Sequence, residues 1–577
     1  MASSTAPLPH FDEGRPWHAH YPAEVPPAID VEAAGTLADL FSDGVARHAA
    51  RPALESFGKE MSYAELGRAA AAVASWLQVR GLRKGDRVAI MMPNVMAYPA
   101  VLFGILTGGF TVVNVNPLYT ARELTHQLRD SGAKALFVLE NFGPTVEEAA
   151  PALDALGTVV LVAPGDLLGL KGHLINFVSR KVKKSVKPFS LPRAVRFATV
   201  VKEGGARPPA PVEIGLDDVA FLQYTGGTTG VAKGATLLHR NVVANVLQAE
   251  AWLKPFSGAR DDHVMVTALP LYHILALTAC GLFMVRLGAK QILVANPRDI
   301  PGFVKTLKGK RFTMMVLVNT LYNALANAKG IEEVDFSNLA YCISGGMATQ
   351  AAVAKKWKAL TGKPIVEGYG LSETSPVVCV NRPDIEEFTG TIGLPLPSTD
   401  VQVLSPDGEI LPYGETGELA VRGPQVMAGY WNRTDETARA MTPDGFFRTG
   451  DIAVLQPDGQ VRIVDRIKDM ILVSGFNVYP NEVEEVLASH PKVLEAAVIG
   501  VPDTHSGEVP AAYIVKGDES LTAEEVRAYC KANLTGYKVP RYIHFREALP
   551  KTNVGKMLRR ALRDEVLAEQ GGEKPAG

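Results

Sequence analysis

Short apolar runs that end in glycine or a turn, each followed by a stretch with helical spacing, recur through the first two thirds of this chain. They occupy residues 86–92, 135–139, 158–162, 219–224, 264–268, 311–318 and 339–343. A strand that is apolar on both faces must be covered on both, and intervening helices supply that cover. The predicted fold class is therefore α/β, a large N-terminal body of layered parallel sheets and helices. No charged residue falls between Arg87 and Arg122, a length that could cross a bilayer at about 20 residues per span. Pro93, Asn94, Pro99, Gly104, Gly108, Gly109, Asn114, Asn116 and Pro117 break the run, so it reads as a buried helix followed by a buried strand. Further on, residues 418–422 and 460–465 alternate between apolar and polar, beside the turn signals Pro406-Asp407-Gly408 and Pro457-Asp458-Gly459. That pattern predicts a small β subdomain.

After Asp465 a compact α+β unit is expected. Val483, Val486 and Leu487 mark one face of a helix opening near Asn481, strands follow at 496–500 and 511–515, and a second helix starts near Leu521. A chain of 577 residues is too long for one core. The expected division is a Pro-rich N-terminal arm over 1–36, the body over 37–465, a smaller C-terminal domain over 466–565 and a loose Gly-rich tail over 566–577. A net charge of −2 provides no global field for nucleic acid, so an anionic ligand needs a local site. Four widely spaced cysteines and an N-terminus with neither a basic start nor an apolar run fit a reducing, cytoplasmic setting.

The most informative string is Thr225-Gly226-Gly227-Thr228-Thr229-Gly230-Val231-Ala232-Lys233-Gly234, directly after an apolar strand. Clustered glycines let backbone N–H groups converge on an anion, hydroxyls add donors and a lysine adds a point charge, which is phosphate-cradle chemistry. The G-x-x-x-x-G-K-S/T spacing of the kinase-type loop is absent. In order along the chain then come Glu367-Gly368-Tyr369-Gly370-Leu371-Ser372-Glu373-Thr374, Thr449-Gly450-Asp451, Asp465-Arg466-Ile467-Lys468-Asp469 and Pro550-Lys551-Thr552-Asn553-Val554-Gly555-Lys556.

On these five ordered motifs the chain resembles the adenylate-forming superfamily of acyl-CoA ligases, luciferases and carrier-loading adenylation domains. The likeness is strongest to bacterial long-chain fatty-acid-CoA ligases, through the stretch from Asp444 to Ile471. The resemblance implies an adenylation body and a mobile C-terminal domain. It implies that Thr225, Gly226, Gly227, Thr228, Thr229, Gly230 and Lys233 hold the β- and γ-phosphates of ATP, and that Glu373, with Thr225 as second contact, binds Mg²⁺. Ser344, Gly345 and Gly346, with Tyr369, would form the adenine slot, although Ser344 and Ala348 depart from the commoner pattern, and Gly370 and Thr374 would also contact ATP. Asp451 would accept the ribose hydroxyls and Arg466 would support the ribose or phosphate side. His273 matches a histidine lining the acyl pocket, and a purely structural histidine is an equal alternative. The resemblance also implies a hinge at Asp465 and a loop, Ser474, Gly475 and Phe476, that meets coenzyme A.

Lys556 carries the first chemical step in this reading. A carboxylate approaching the α-phosphate meets a repulsion of about 4 kcal/mol for unit charges 4 Å apart at an effective dielectric of 20, and a cation must offset it. The implied reaction is ATP-dependent activation of a long- or medium-chain fatty acid to its acyl-AMP, then transfer to CoA. The alternatives are a different acid, such as an aryl acid, or a carrier-protein acceptor, and a catalytically silent lipid-binding protein on the same fold. Chain-length preference and oligomeric state, a homodimer included, are not legible. Between residues 170 and 197 Lys171, Arg180, Lys181, Lys183, Lys184, Lys187, Arg193 and Arg196 stand among apolar residues. Two readings stay open for this segment: contact with the anionic inner face of the cytoplasmic membrane, or a solvated insertion.

Overall fold

The computed structural model describes residues 15–153, 155–225, 232–257, 260–552 and 555–571. Two large sheets form the body. One orders its strands Gly429–Tyr430, Lys233–Leu238, Val219–Thr225, Thr111–Asn114, Arg87–Met91, Ala135–Leu139, Thr158–Val162 and Val195–Arg196. From Val219–Thr225 to Val195–Arg196 these strands are parallel, whereas Lys233–Leu238 returns antiparallel as a hairpin. The second sheet has nine strands, and the neighbours Lys290–Leu293, Val264–Thr267, Met314–Leu317, Tyr341–Ser344 and Ile365–Gly370 are parallel.

The expected strands lie within a few residues of the observed ones, because strands buried on both faces leave continuous apolar runs. The uncharged stretch after Arg87 forms the strand Arg87–Met91, the helix Ala97–Thr107 and the strand Thr111–Asn114. All but the last residue of that helix are buried. Among the described residues no helix is long and apolar enough to cross a membrane. A single apolar core joins the two sheets, running from Ile90, Val112, Phe137 and Phe221 to Leu54, Met265, Met314 and Val316 through the helices Tyr63–Val79 and Ala97–Thr107. Those helices meet closely at Gly104, where a Cβ would stand 2.6 Å from the Ala70 carbonyl oxygen, so no larger residue fits. Local signals start the helices: Ser62 and Glu65 form a reciprocal cap on Tyr63–Val79, and Thr120 and Glu123 do the same on Ala121–Ser131.

The antiparallel subdomain orders Asp400–Leu404, Thr416–Arg422, Phe447–Leu455 and Val461–Arg466. Residues 15–36 are less free than an arm implies. Trp17 is fully buried in the core of this subdomain, the Tyr21 hydroxyl donates to the Pro395 carbonyl, and Arg15 pairs with Asp400. The final sheet begins at Ile471–Val473, just past Arg466, and includes Phe476–Val478, Val493–Asp503, Gly507–Lys516 and Tyr542–Arg546. Its last helix, Arg559–Gly571, buries Leu562 and extends beyond position 566, where a loose tail was expected. The rest of that tail, 572–577, lies outside the described residues.

Candidate active site

The parallel strands Tyr341–Ser344 and Ile365–Gly370 of the second sheet end on a cavity, the position where open α/β sheets bind ligands. Thr225 closes Val219–Thr225, and antiparallel register places it opposite Lys233 at the base of the hairpin. Gly226, Gly227, Thr228, Thr229 and Gly230 lie outside the described residues. Lys233 forms an ion pair with Glu436 and sits 5.2 Å from the centre of the Tyr430 ring. Tyr430 belongs to the strand beside Lys233–Leu238, and its hydroxyl donates to Glu373 Oε1 at 2.8 Å. Glu373 is buried, and its pKa is raised by that burial against the opposing pull of the tyrosine hydrogen bond.

Most of the residues expected on the adenine side lie close together. Ser344, Gly345, Gly346, Tyr369 and Gly370 line one cavity with His273 and Lys556. A Cβ at Gly370 would fall 1.8 Å from the Pro376 carbonyl oxygen, so this turn admits only glycine. The Thr349 hydroxyl donates to Ser344 Oγ at 2.7 Å, and the Thr349 N–H donates to Glu367 Oε1 at 3.3 Å. Glu367 is buried, its Oε2 has no partner among the described residues, and burial pushes its pKa up to about 8. Thr374 is fully buried. Its hydroxyl donates to the Pro376 and Leu371 carbonyls and accepts the Leu371 N–H, so it shapes the turn that carries Glu373.

The Tyr369 hydroxyl donates to Asp451 Oδ2 at 2.6 Å, and Arg466 Nε lies 3.4 Å from Asp451 Oδ1. Tyr369 thus braces the carboxylate as well as lining the cavity, and Asp451 keeps lone pairs for further donors. Burial raises the Asp451 pKa, while Arg466 and Tyr369 lower it.

Lys556 reaches this cavity from the C-terminal unit. Its Cε lies 3.0 Å from where a Gly346 Cβ would be, and its loop is held by Thr320 Oγ1 donating to the Gly555 carbonyl at 2.9 Å and by Arg298 donating to the Thr552 carbonyl at 3.1 Å. Burial and the neighbouring Arg466 pull the Lys556 pKa down to about 8, against the carboxylates of Asp451 and Glu373. His273 caps a short helical turn, with Nδ1 accepting the Leu275 N–H at 3.4 Å. Burial and the charge of Lys556 bring its pKa down to about 3, so at neutral pH it is an uncharged imidazole. With Nδ1 an acceptor, the proton rests on Nε2.

Beside these polar groups the cavity is apolar, walled by Trp252, Met265, Ile274, Phe283, Met314 and Val316. Such a shape, apolar with convergent polar groups at one end, is that of a small-molecule site. Ser474, Gly475 and Phe476 are not brought to it. All three are exposed, and Phe476 stacks on Tyr537 with ring centres 4.9 Å apart. Asp465 is buried; its Oδ1 accepts the Arg466 N–H and its Oδ2 the Asn481 N–H, both at 2.8 Å, and burial raises its pKa to about 6. Tyr430, Glu436 and the apolar wall were not singled out from sequence. They lie far from the signature strings and acquire meaning only through the fold.

Residues 41–431 match the AMP-binding enzyme family, and residues 482–556 match the AMP-binding enzyme C-terminal domain. The chain belongs to the AMP-binding enzyme family. It is 51% identical over 553 residues to a long-chain-fatty-acid–CoA ligase of Yersinia pestis, covering 96% of this chain and 98% of the relative. A ligase of the same description from Haemophilus influenzae is 48% identical over 557 residues, covering 96% and 99%. Among solved structures, an anthranilate CoA ligase in complex with anthranoyl-AMP superposes with a TM-score of 0.83 at 25% identity, covering 94% of this chain and all of that one.

Proposed function

We propose that this protein is a long-chain fatty-acid–CoA ligase that works through an acyl-adenylate, with Lys556 as the cation of the first step. Support for the reaction comes from near-full-length relatives of that description at about half identity. Support for the residue roles comes from one observation: a buried lysine lines a largely apolar cavity beside Ser344, Gly345, Gly346 and Tyr369, within electrostatic reach of Asp451 and Glu373.

In the first half-reaction a fatty carboxylate oxygen attacks the α-phosphorus of ATP, the bond to the β-phosphate oxygen breaks, and pyrophosphate leaves. Lys556 lies between the two anions and lowers their repulsion as charge builds. Lys233 would exchange Glu436 for phosphate oxygens, and Thr225 lies opposite it. His273, uncharged, can donate from Nε2 at the cavity mouth without adding a competing cation. Asp451 would accept the ribose hydroxyls while Tyr369 and Arg466 fix its rotamer. In the second half-reaction the CoA sulfur attacks the acyl carbonyl, the bond to AMP breaks, and AMP leaves. Ser474, Gly475 and Phe476 would meet CoA after the C-terminal domain turns about Asp465 and withdraws Lys556.

Glu373 suits Mg²⁺. That ion is usually held by one or two carboxylates plus substrate phosphates, and among the described residues no group of three or more potential ligands converges to build an all-protein cage. When bound, the ion would neutralise phosphate charge. Tyr430 would keep the Glu373 carboxylate aimed, with Thr225 as second contact. The apolar wall favours an alkyl chain as the acid, and such chains partition to membranes, so peripheral contact with an anionic bilayer belongs to this reading.

The test supplies purified protein with MgATP, CoA and palmitate, and in parallel with benzoate or a phosphopantetheinyl carrier protein in place of CoA. AMP, pyrophosphate and palmitoyl-CoA are expected. Preference for benzoate or the carrier would move the assignment to the alternative acid or acceptor, and absence of AMP and pyrophosphate throughout would end it.

A further inference from the structure

The basic segment forms a surface whose outward face is apolar, the reverse of what a solvated insertion requires. Leu170, Leu174 and Phe177 lie at i, i+4 and i+7 of the helix Leu170–Phe177, on one face, and are 90%, 63% and 57% exposed. The opposite face cannot be exchanged for it. At Gly172 a Cβ would meet the Gly165 carbonyl oxygen at 2.0 Å, Asn176 Oδ1 accepts the Gly165 N–H at 2.7 Å, and Ser179 is buried. Small and polar residues, with Ile175 packed on the core, thus fix the helix to the body, and Leu170, Leu174 and Phe177 are turned outward.

A second element presents a further apolar side chain to the same surface. Phe57, at the tip of the hairpin between Pro52–Ser56 and Lys59–Ser62, is 50% exposed and adopts φ +51°, a region bulky residues rarely occupy. Lys171 Nζ donates to the Phe57 carbonyl and so ties the hairpin tip to the helix. An exposed aromatic in a strained turn gains nothing from the folded core.

Within the segment itself the charges are of one sign. No Asp or Glu occurs between Asp166 and Glu203. Of the basic residues, Arg180 and Arg196 are not available outward. Both pair with the buried Glu140, Arg180 through two hydrogen bonds of 2.8 Å and Arg196 through one of 2.7 Å, and they anchor the segment. Lys181, Lys183, Lys184 and Lys187 are exposed and have no hydrogen-bond or ion-pair partner among the described residues.

We propose that Leu170, Leu174, Phe177 and Phe57, together with Lys181, Lys183, Lys184 and Lys187 that follow the helix in the chain, form the surface by which this protein docks on an anionic lipid bilayer. Apolar side chains enter the headgroup boundary while ammonium groups meet lipid phosphates. A protein partner would require a complementary acidic rim with apolar sockets; a bilayer offers both properties without register. The inference deepens the ligase reading by naming the face turned to the store of water-insoluble substrate, but its test needs no turnover.

The protein is sedimented with phosphatidylcholine vesicles and with vesicles containing a third phosphatidylglycerol, at low and high salt, without ATP. Binding to the anionic vesicles well above the neutral ones is expected. The double substitution Leu174→Glu with Phe177→Glu should lower that binding about ten-fold or more at either salt. Lys183→Glu with Lys184→Glu should lower it by roughly five-fold per residue at low salt and far less at high salt. An unchanged melting temperature and unchanged AMP release with octanoate, a soluble acid, would show that each variant is folded and that the ligase reading survives independently. Equal binding of wild type to neutral and anionic vesicles, or undiminished binding of the Leu174 and Phe177 variant, overturns the proposal. Should that variant instead turn a dimer into a monomer with vesicle binding unaltered, the face is a subunit contact and the proposal also fails.

Discussion

The inside of the C-terminal unit and its seam with the body are built differently. Inside, Arg559 donates to both oxygens of Glu484 at 2.9 and 2.7 Å, to Asn481 Oδ1 at 2.6 Å and to Asp469 Oδ2 at 3.1 Å, while Glu484 also accepts the Val498 N–H at 2.7 Å. Along the seam, single hydrogen bonds carry the contact: Thr320 to Gly555, Asn323 to the Leu494 carbonyl at 3.1 Å, and the Ala351 N–H to Glu485 at 3.0 Å. A buried multidentate charge cluster resists deformation, whereas isolated hydrogen bonds contribute about 1 kcal/mol each and exchange readily with water. This contrast is what a unit that moves as one piece requires, with Asp465 touching both sides.

The largest break in the comparison is expected from Arg559→Met. It would leave the buried carboxylates of Asp465 and Glu484 without their cation, while Asp469 keeps Arg563, at a cost of about 3–5 kcal/mol. Urea denaturation followed by limited proteolysis should show the C-terminal unit opening first. Loss of stability no greater than at a surface residue would mean the cluster is not what holds the unit together.

Next, Tyr430→Phe removes a hydrogen bond to a buried carboxylate, a contribution of about 1.5–3 kcal/mol. Adenylate formation should fall roughly ten-fold or more, with a weaker response to Mg²⁺ titration; an unaltered Mg²⁺ dependence would remove Tyr430 from the site.

A smaller and graded effect concerns pH. In the proposed role Lys556 acts as a cation, and burial with Arg466 brings its pKa down to about 8. The charged form exists below that value, so kcat/KM for adenylation should be flat below pH 8 and decline about ten-fold per unit above it. Lys556→Arg should carry the decline to higher pH, since a guanidinium stays charged. Transfer from supplied acyl-AMP should lack this limb.

The smallest effect belongs to the seam. Thr320→Val removes one hydrogen bond to the Lys556 loop and should slow adenylation by a factor of about five. Transfer should be spared, and an equal loss in both half-reactions would argue that the seam does not distinguish them.

Much of the body was legible because its chemistry is written locally. Residues 135–139 and 158–162 are buried on nearly every side, so their apolar runs coincide with the strands. The edge hairpin at Pro52–Ser56 and Lys59–Ser62 was not foreseen. It is short and contains the buried Glu55, whose acceptability depends on Lys290 and Lys310 from distant segments. Trp17 likewise reads as part of a Pro-rich arm until the subdomain around Gly459 is in place. In the site, Lys556, Asp451 and Tyr369 were legible through the motifs. Tyr430 and Glu436 were not, because they reach the site through a strand pairing with Lys233–Leu238 and through the helix Thr434–Arg439 that follows it, which no spacing announces. Thr374 shows the converse: motif membership suggested a ligand contact, and its hydroxyl is occupied by the turn.

The most direct test separates the two half-reactions in Lys556→Ala. Palmitate-dependent exchange of labelled pyrophosphate into ATP is measured beside CoA-dependent consumption of supplied palmitoyl-AMP. Exchange should drop by about 10²–10³-fold or more while consumption of the adenylate stays near wild type. Equal loss in both, or exchange that persists, would contradict the placing of this lysine between carboxylate and α-phosphate.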